Sequence, residues 1–469
     1  MKCLSSQRGS AFLLVLLFSS LFLVMFGATL SFILVQHKAV EQEVARSQAL
    51  HIAEAGVNYY RWHLTHSPGD FASDTGVQQY PDPLGGIFGE FDLSVASPSV
   101  GSTTAVITAS AHQQEHQRTE SRVRVRYGQP SLAHFAFLTN SNVWFGDGES
   151  ISGQLHSNGG VRMDGTGDSL LTSAQETYIC GAEHGCSNEV KDGVWGSGVD
   201  PVFWEFPADT VDFNSLLLDL DQLQADANTP DGLYLPDSGS HGYYIVFNAD
   251  GTLTVNTVKS VYGPVNGYNG ETWTYESNDK KTWTPLSGYV NIPLPTNGLI
   301  FVEDDVWVGG TLNGRVTVTA ARLPDGSFER ADIYIQDDIV YTAHDGSSAL
   351  GLIAQQDILS TLRSDNTQRI DAAMMAINGH IFRYYYPELS TQPYATYAVR
   401  DSIETYGTVI SNTIWTWSWV SGAGGPVTSG YETTTTTYDP DLTYSPPPSF
   451  PTEDEYAFIS WEELTLNEL

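Results

Sequence analysis

Residues 11–35 form an unbroken apolar run with no charged side chain, closed by Gln36, His37 and Lys38. At ~1.5 Å of rise per residue, a helix of that length crosses a hydrocarbon core ~30 Å thick. A cleaved secretory signal has an apolar core of only ~7–15 residues, so the pattern favours a retained anchor. Lys2 and Arg8 precede the run, which keeps the first residues cytoplasmic and exports the C-terminal mass. Beyond it, Val40, Val44, Ile52, Val57, Tyr60 and Leu64 recur with no Pro or Gly before Gly56. That spacing predicts that the helix continues as an amphipathic one. Ala45, Ala49 and Ala53, followed by Gly56, line one helix face. Such a face suits either close approach of a partner helix or packing on the chain's own domain.

The pattern then shortens. Residues 67–84, rich in Pro, Gly, Asp and Ser, read as a loop. FGEFDLSVASP, TTAVITASAHQ and ESRVRVRYG alternate apolar and polar residues, and predict a small antiparallel meander. From about residue 131, short β runs follow polar turn steps, with Val143, Val161, Val306, Ile339, Ile358 and Ile381 as the expected equivalent positions. Repeats of ~20 or more residues, each with a β run, predict a solenoid over a β-sandwich. LIFV, LGLIA and AAMMAI are continuous apolar runs, as in parallel strands covered on both faces. Between them, VDFNSLLLDLDQLQADA has helical spacing, with Asp212 or Asn214 as its cap and Leu216, Leu217, Leu220, Leu223 and Ala227 on its apolar face. GYYIVFNADGTLTVNTV reads as a hairpin around Asp250 and Gly251. Residues 415–430 read as a surface loop, the Thr run 433–437 as a strand, and YSPPPSFPTEDEY as an extended tail.

Composition narrows the class. Hydrophobic residues make up 41% and aromatic residues 12%, enough for a packed core. The 55 acidic against 21 basic residues give a net charge of -34. That charge excludes nucleic acid as a partner, since phosphate binding needs clustered Lys and Arg. It also opposes adhesion of the exported part to anionic lipid.

Candidate chemistry is sparse. Cys180 and Cys186 in CGAEHGC read first as a short-loop disulfide in an exported chain, with a metal site including His184, or free thiols, as alternatives. Asp304 with Asp305, and Asp337 with Asp338, would stack on adjacent coils. They would serve as turn caps or, less readily, as a carboxylate pair for polysaccharide cleavage through Asp305 and Asp338. No full calcium-loop spacing occurs, which leaves Ca²⁺ an open cofactor; no other cofactor or metal is expected. Trp415, Trp417 and Trp419, with Tyr384, Tyr385 and Tyr386, form a candidate glycan-stacking platform, against the alternative of a packed sheet face.

The basic leader ending in Gly9, the long apolar helix, and Ala53, Glu54, Ala55 and Gly56 together resemble PilX-type minor pilins. The resemblance implies cleavage after Gly9 by a prepilin peptidase, leaving Ser10 as the new terminus. Ser10 stands where major pilins carry Phe, and Leu14 where they carry Glu, which implies a minor rather than a bulk subunit. IFVEDDVWVGGTLNGRVTVTAA and YDPDLTYSPPPSFP resemble text of pilus-associated bacterial surface proteins.

An α+β chain is therefore expected: leader 1–9, transmembrane and amphipathic helix 10–66, pilin-like meander 67–130, right-handed parallel β-solenoid 131–430 with an insertion at 200–298, and a Pro-rich segment 431–469. The resemblance implies a non-catalytic structural protein of a type IV pilus or pseudopilus. It would cross the cytoplasmic membrane once, with its bulk outside the cell or on the pilus. Other pilin-like subunits or assembly proteins would meet it through the N-terminal helix. A glycan-binding adhesin, meeting a host or neighbour cell, and a β-helix polysaccharide lyase or hydrolase are the alternatives.

Overall fold

The computed structural model describes residues 8–99, 101–213, 220–326, 329–387, 389–413, 415–422, 425–453 and 456–464. The chain forms a long N-terminal helix followed by a mostly β fold. It divides into two compact units: Met1–Pro98, Thr104–Gly128 and Glu455–Leu469 form the first, and Ser99–Thr103 and Gln129–Asp454 the second. Apart from Ser99–Thr103, the second unit is thus an insertion in the sequence of the first, entered after the fourth strand and left before the last.

In the first unit, one helix runs unbroken from Arg8 to His66. Its absence of Pro and its aliphatic content sustain this length. Side chains from Phe12 to Val35 are exposed, whereas Ile52, Ala53, Val57, Tyr60 and Leu64 are buried. The three alternating runs become strands Ile87–Ala96, Thr104–Gln113 and Glu120–Gly128, paired antiparallel in order. Their inward residues, among them Leu93, Ile107, Val123 and Val125, meet the helix in one core. Two further strands complete the sheet. Gly76–Pro81 lies at one edge, inside the stretch expected as a loop. Its Pro81 costs no ladder bond at an edge, so a turn-rich text still pairs there. Ala457–Leu464 forms the other edge against Glu120–Gly128.

The second unit is built chiefly of parallel ladders. The first runs, in spatial order, through 233–235, 299–302, 315–320, 349–354, 367–376, 399–411, 137–139, 155–157, 171–173 and 204–205. This order departs from the sequence: the unit's opening strand, Phe137–Thr139, pairs with Val399–Ser411 near its end. A parallel partner needs a crossover of about a dozen residues or more, which sets a lower bound on the sequence separation of paired strands but no upper one. A second ladder joins 243–248, 306–312, 333–341, 358–360, 381–382 and 415–416. Its equivalent positions are Val306, Ile333, Ile358 and Ile381. Ile339, expected in that column, instead pairs with Gly310 and Ile370. The turn-like QDD text lies inside the strand Ile333–Tyr341 rather than before it. Val143 and Val161 do pair as equivalents.

The continuous apolar runs are covered on both faces. Ile300, Val302, Leu350, Leu352, Ala372 and Met374 enter the main core. Their neighbours Leu299 and Phe301 pack in one outer cluster, and Ile353 and Met375 in another. A two-residue side-chain period sends alternate residues to opposite faces, so burial of both requires an unbroken apolar text. Tyr243–Asn248 and Thr252–Val261 form the hairpin at Asp250 and Gly251. The inserted helix spans Leu220–Ala227, with Leu223 and Ala227 buried. Asn214, Leu216 and Leu217 lie outside the described residues. Val427–Tyr438 is one strand of the parallel ladders, between Val399–Ser411 and Glu149–Ser152. The expected boundary at residue 430 therefore cuts through a strand: alternate buried Thr434 and Thr436 hold an apparently polar run in place.

Candidate functional site

The helix is the clearest candidate site. Gly9 and Ser10 lie in its first turns; Lys2 and Cys3 of the leader lie outside the described residues. Exposed apolar side chains line every side of it from Phe12 to Val35. A segment so apolar and so bare calls for lipid or other helices around it. Apolar exposure continues to Val40 and Val44.

The small-residue face below is already occupied. Ala45, Ala49 and Ala53 are buried, and a Cβ at Gly56 would fall 2.8 Å from Cδ2 of Phe91 in the unit's own sheet. Close approach of a backbone is what small residues permit, but here the sheet fills that face. Glu54 and Ala55 are half-buried, with Glu54 3.3 Å from His51.

Cys180 and Cys186 form a disulfide, with Cα atoms 5.5 Å apart, beside the hairpin of Thr177–Cys180 and Glu189–Asp192. The bond leaves His184 no thiolates for a metal site. Among the described residues, no group of three or more His, Cys, Asp or Glu side chains is arranged to hold a metal ion.

The Trp platform is corrected by burial. Trp415 is 7% exposed and Trp417 1%, and both belong to the main core. Trp415 packs edge-on to Phe137 at 5.1 Å. Neither ring offers a face to a sugar. Trp419 is half-buried, donates Nε1–H to the Arg383 carbonyl at 2.8 Å, and contacts Tyr268 and Tyr385. Tyr384 and Tyr386 are buried. Trp273, beside the still more exposed Tyr275, is an exposed aromatic in that neighbourhood, edge-on to Tyr385 at 5.8 Å. It stands on the hairpin of Val265–Tyr268 and Trp273–Glu276, which the sequence pattern did not single out.

The carboxylate stack also differs from expectation. Asp305 precedes Val306 in the same register column as Asp332 before Ile333 and Asp357 before Ile358. Asp337 and Asp338 lie further along their strand, so Asp305 and Asp338 do not form the expected pair. Asp304 and Asp305 bind the guanidinium of Arg322 at 2.7 and 3.1 Å. Asp337 accepts from Nζ of Lys280 at 2.5 Å and from Tyr244 Oη at 2.7 Å. Lys280 is buried, and burial pulls its ammonium below the usual lysine range against the opposing pull of Asp337. These carboxylates hold cations and turns together.

A scan against models of protein families finds no match, and no curated protein matches the chain. Among solved structures, the chain is similar to the crystal structure of the competence-associated pilin ComZ from Thermus thermophilus. The two are 15% identical over 90% of this chain and 97% of that one, with a TM-score of 0.29. Similarity of that size does not establish a shared fold.

Proposed function

We propose that this chain is a membrane-anchored structural subunit of a type IV pilus or pseudopilus-like surface assembly, a minor pilin of the PilX type without catalytic activity. The supporting observation is the single helix Arg8–His66, bare and apolar at its start and packed on an antiparallel sheet at its end. Such a helix combines an anchor and a rigid stalk in one element. The N-terminus stays cytoplasmic and both units face outward, in keeping with the basic residues before the apolar run. Prepilin peptidase removes the leader after Gly9. Neighbouring subunits or assembly proteins pack on the exposed segment from Phe12 to Val44. The parallel ladders of the second unit are the coils of a right-handed β-helix.

Cells producing the full chain, separated into membrane, sheared surface fibre and soluble fractions, test this reading. The protein is expected in the membrane and in sheared fibres, with a Val40→Cys variant cross-linking to another apolar helix. Recovery of the intact chain in the soluble fraction contradicts it.

A further inference from the structure

Two side-chain ladders run across the coils of the second unit, and they differ in one chemical respect. In the first, Nδ2 of Asn140 donates to Oδ1 of Asn412 at 3.0 Å, and Nδ2 of Asn158 donates to Oδ1 of Asn140 at 2.7 Å. Each amide both donates and accepts, so an asparagine stack satisfies itself without charge. In the second, carboxyls just before their strands accept backbone N–H groups of the neighbouring strand. Oδ1 of Asp305 accepts the Asp332 N–H at 3.0 Å, and Oδ1 of Asp332 accepts the Asp357 N–H at 2.9 Å. Oδ1 of Asp357 accepts the His380 N–H at 2.6 Å, with His380 Nδ1 also 3.1 Å away. Strands in a ladder lie ~4.8 Å apart, and charges at that separation repel strongly where water is scarce.

Among the described residues, basic side chains face only the ends of this ladder. Arg322 binds Asp305, with Asp304 sharing the same guanidinium. His380 faces Asp357. Between them, Oδ2 of Asp332 accepts the Tyr334 hydroxyl at 3.2 Å, and no ion pair reaches Asp332 among the described residues. Glu276 and the Tyr384 hydroxyl lie within electrostatic reach of this cluster, and burial raises both.

We propose that Asp332, flanked in this ladder by Asp305 and Asp357, holds a proton in the folded chain and makes the coil stack more stable in mildly acidic surroundings. Burial, reinforced by Asp357 and Asp305, holds the Asp332 carboxyl well above the usual carboxylate range. Burial also raises Asp305, against the pull of Arg322. A carboxyl whose folded value is raised binds more protons folded than unfolded, so stability falls as pH climbs from the unfolded value through the folded one. Carboxyls with lowered values, such as Asp168, act oppositely but only below about pH 4, where the unfolded carboxyl titrates.

The test is denaturant unfolding of the full chain in detergent, followed by Trp fluorescence, in wild type and Asp332→Asn. The asparagine keeps an acceptor for the Asp357 N–H and cannot ionise. The wild-type unfolding constant is expected to be at least tenfold smaller at about pH 5.5 than at about pH 8, with that ratio several-fold lower in the variant; Glu149, raised by burial to about 8, supplies the remainder. Equal pH dependence in the two proteins, or a wild type more stable at the higher pH, overturns the proposal. Should Asp332→Asn fail to fold, infrared spectra of the wild type and of Asp357→Asn decide the matter, since Glu149 also carries a raised carboxyl: a protonated-carboxyl band at neutral pH that weakens in the variant supports the proposal, and a band absent or unchanged overturns it.

Discussion

Gly56 lies against the ring of Phe91, so close that a Cβ there would fall 2.8 Å from Phe91 Cδ2 and 3.0 Å from Cγ. The contact fixes the lower half of the long helix on the first unit's sheet. It explains why a glycine stands at a helical position that ordinarily disfavours it. Gly56→Val is expected to destabilise that unit by about 1–3 kcal/mol through overpacking. Hydrogen exchange of the strand Ile87–Ala96 would register this as faster exchange, whereas unchanged protection would show that the ring moves freely aside.

Trp417→Ala removes a ring that is 1% exposed in the main core, and should cost about 3–5 kcal/mol. Trp273→Ala removes a ring that is 53% exposed, and should stay within about 0.5 kcal/mol. Denaturant midpoints of the two variants check the pair. Equal, small effects would return Trp417 to the surface.

Deleting residues 456–469 strips the strand that covers Glu120–Gly128 at the edge of the first sheet. An exposed edge with unpaired N–H and C=O groups invites association. The truncated chain should aggregate in detergent and be cut by protease within residues 104–128. A monodisperse, protease-resistant product would make the strand dispensable.

The bond between Cys180 and Cys186 closes a short loop, so Cys180→Ser is expected to cost about 2 kcal/mol. Thiol titration of the denatured exported protein should detect cysteine only after reduction. Two or more reactive thiols per chain before reduction would place the pair in the reduced state.

Much of the fold was legible because it follows from local periods. The apolar run, the three alternating strands and the continuous runs LIFV and LGLIA each carry their own burial in their text. The non-local pairings were not legible. Nothing local tells Phe137–Thr139 to join Val399–Ser411, or Ala457–Leu464 to close the first sheet. Ile339 resembled a column position because QDD imitates a turn, whereas the true equivalent, Ile333, follows the plainer Ala331 and Asp332. The spacing of Trp415, Trp417 and Trp419 is the same whether the strand faces solvent or core, and only the opposing Phe137 and Phe145 decide it. The small-residue helix face was visible in sequence, but its occupant, Phe91, lies across a loop and a strand.

The central claim is that the helix from Arg8 is a retained membrane anchor released from its leader at Gly9. Intact-mass measurement of the protein extracted from membranes, for wild type and Gly9→Val, tests it most directly. The account predicts a wild-type chain beginning at Ser10 and a variant still carrying Met1. A wild type that keeps Met1, or one recovered without residues 11–35, would contradict it.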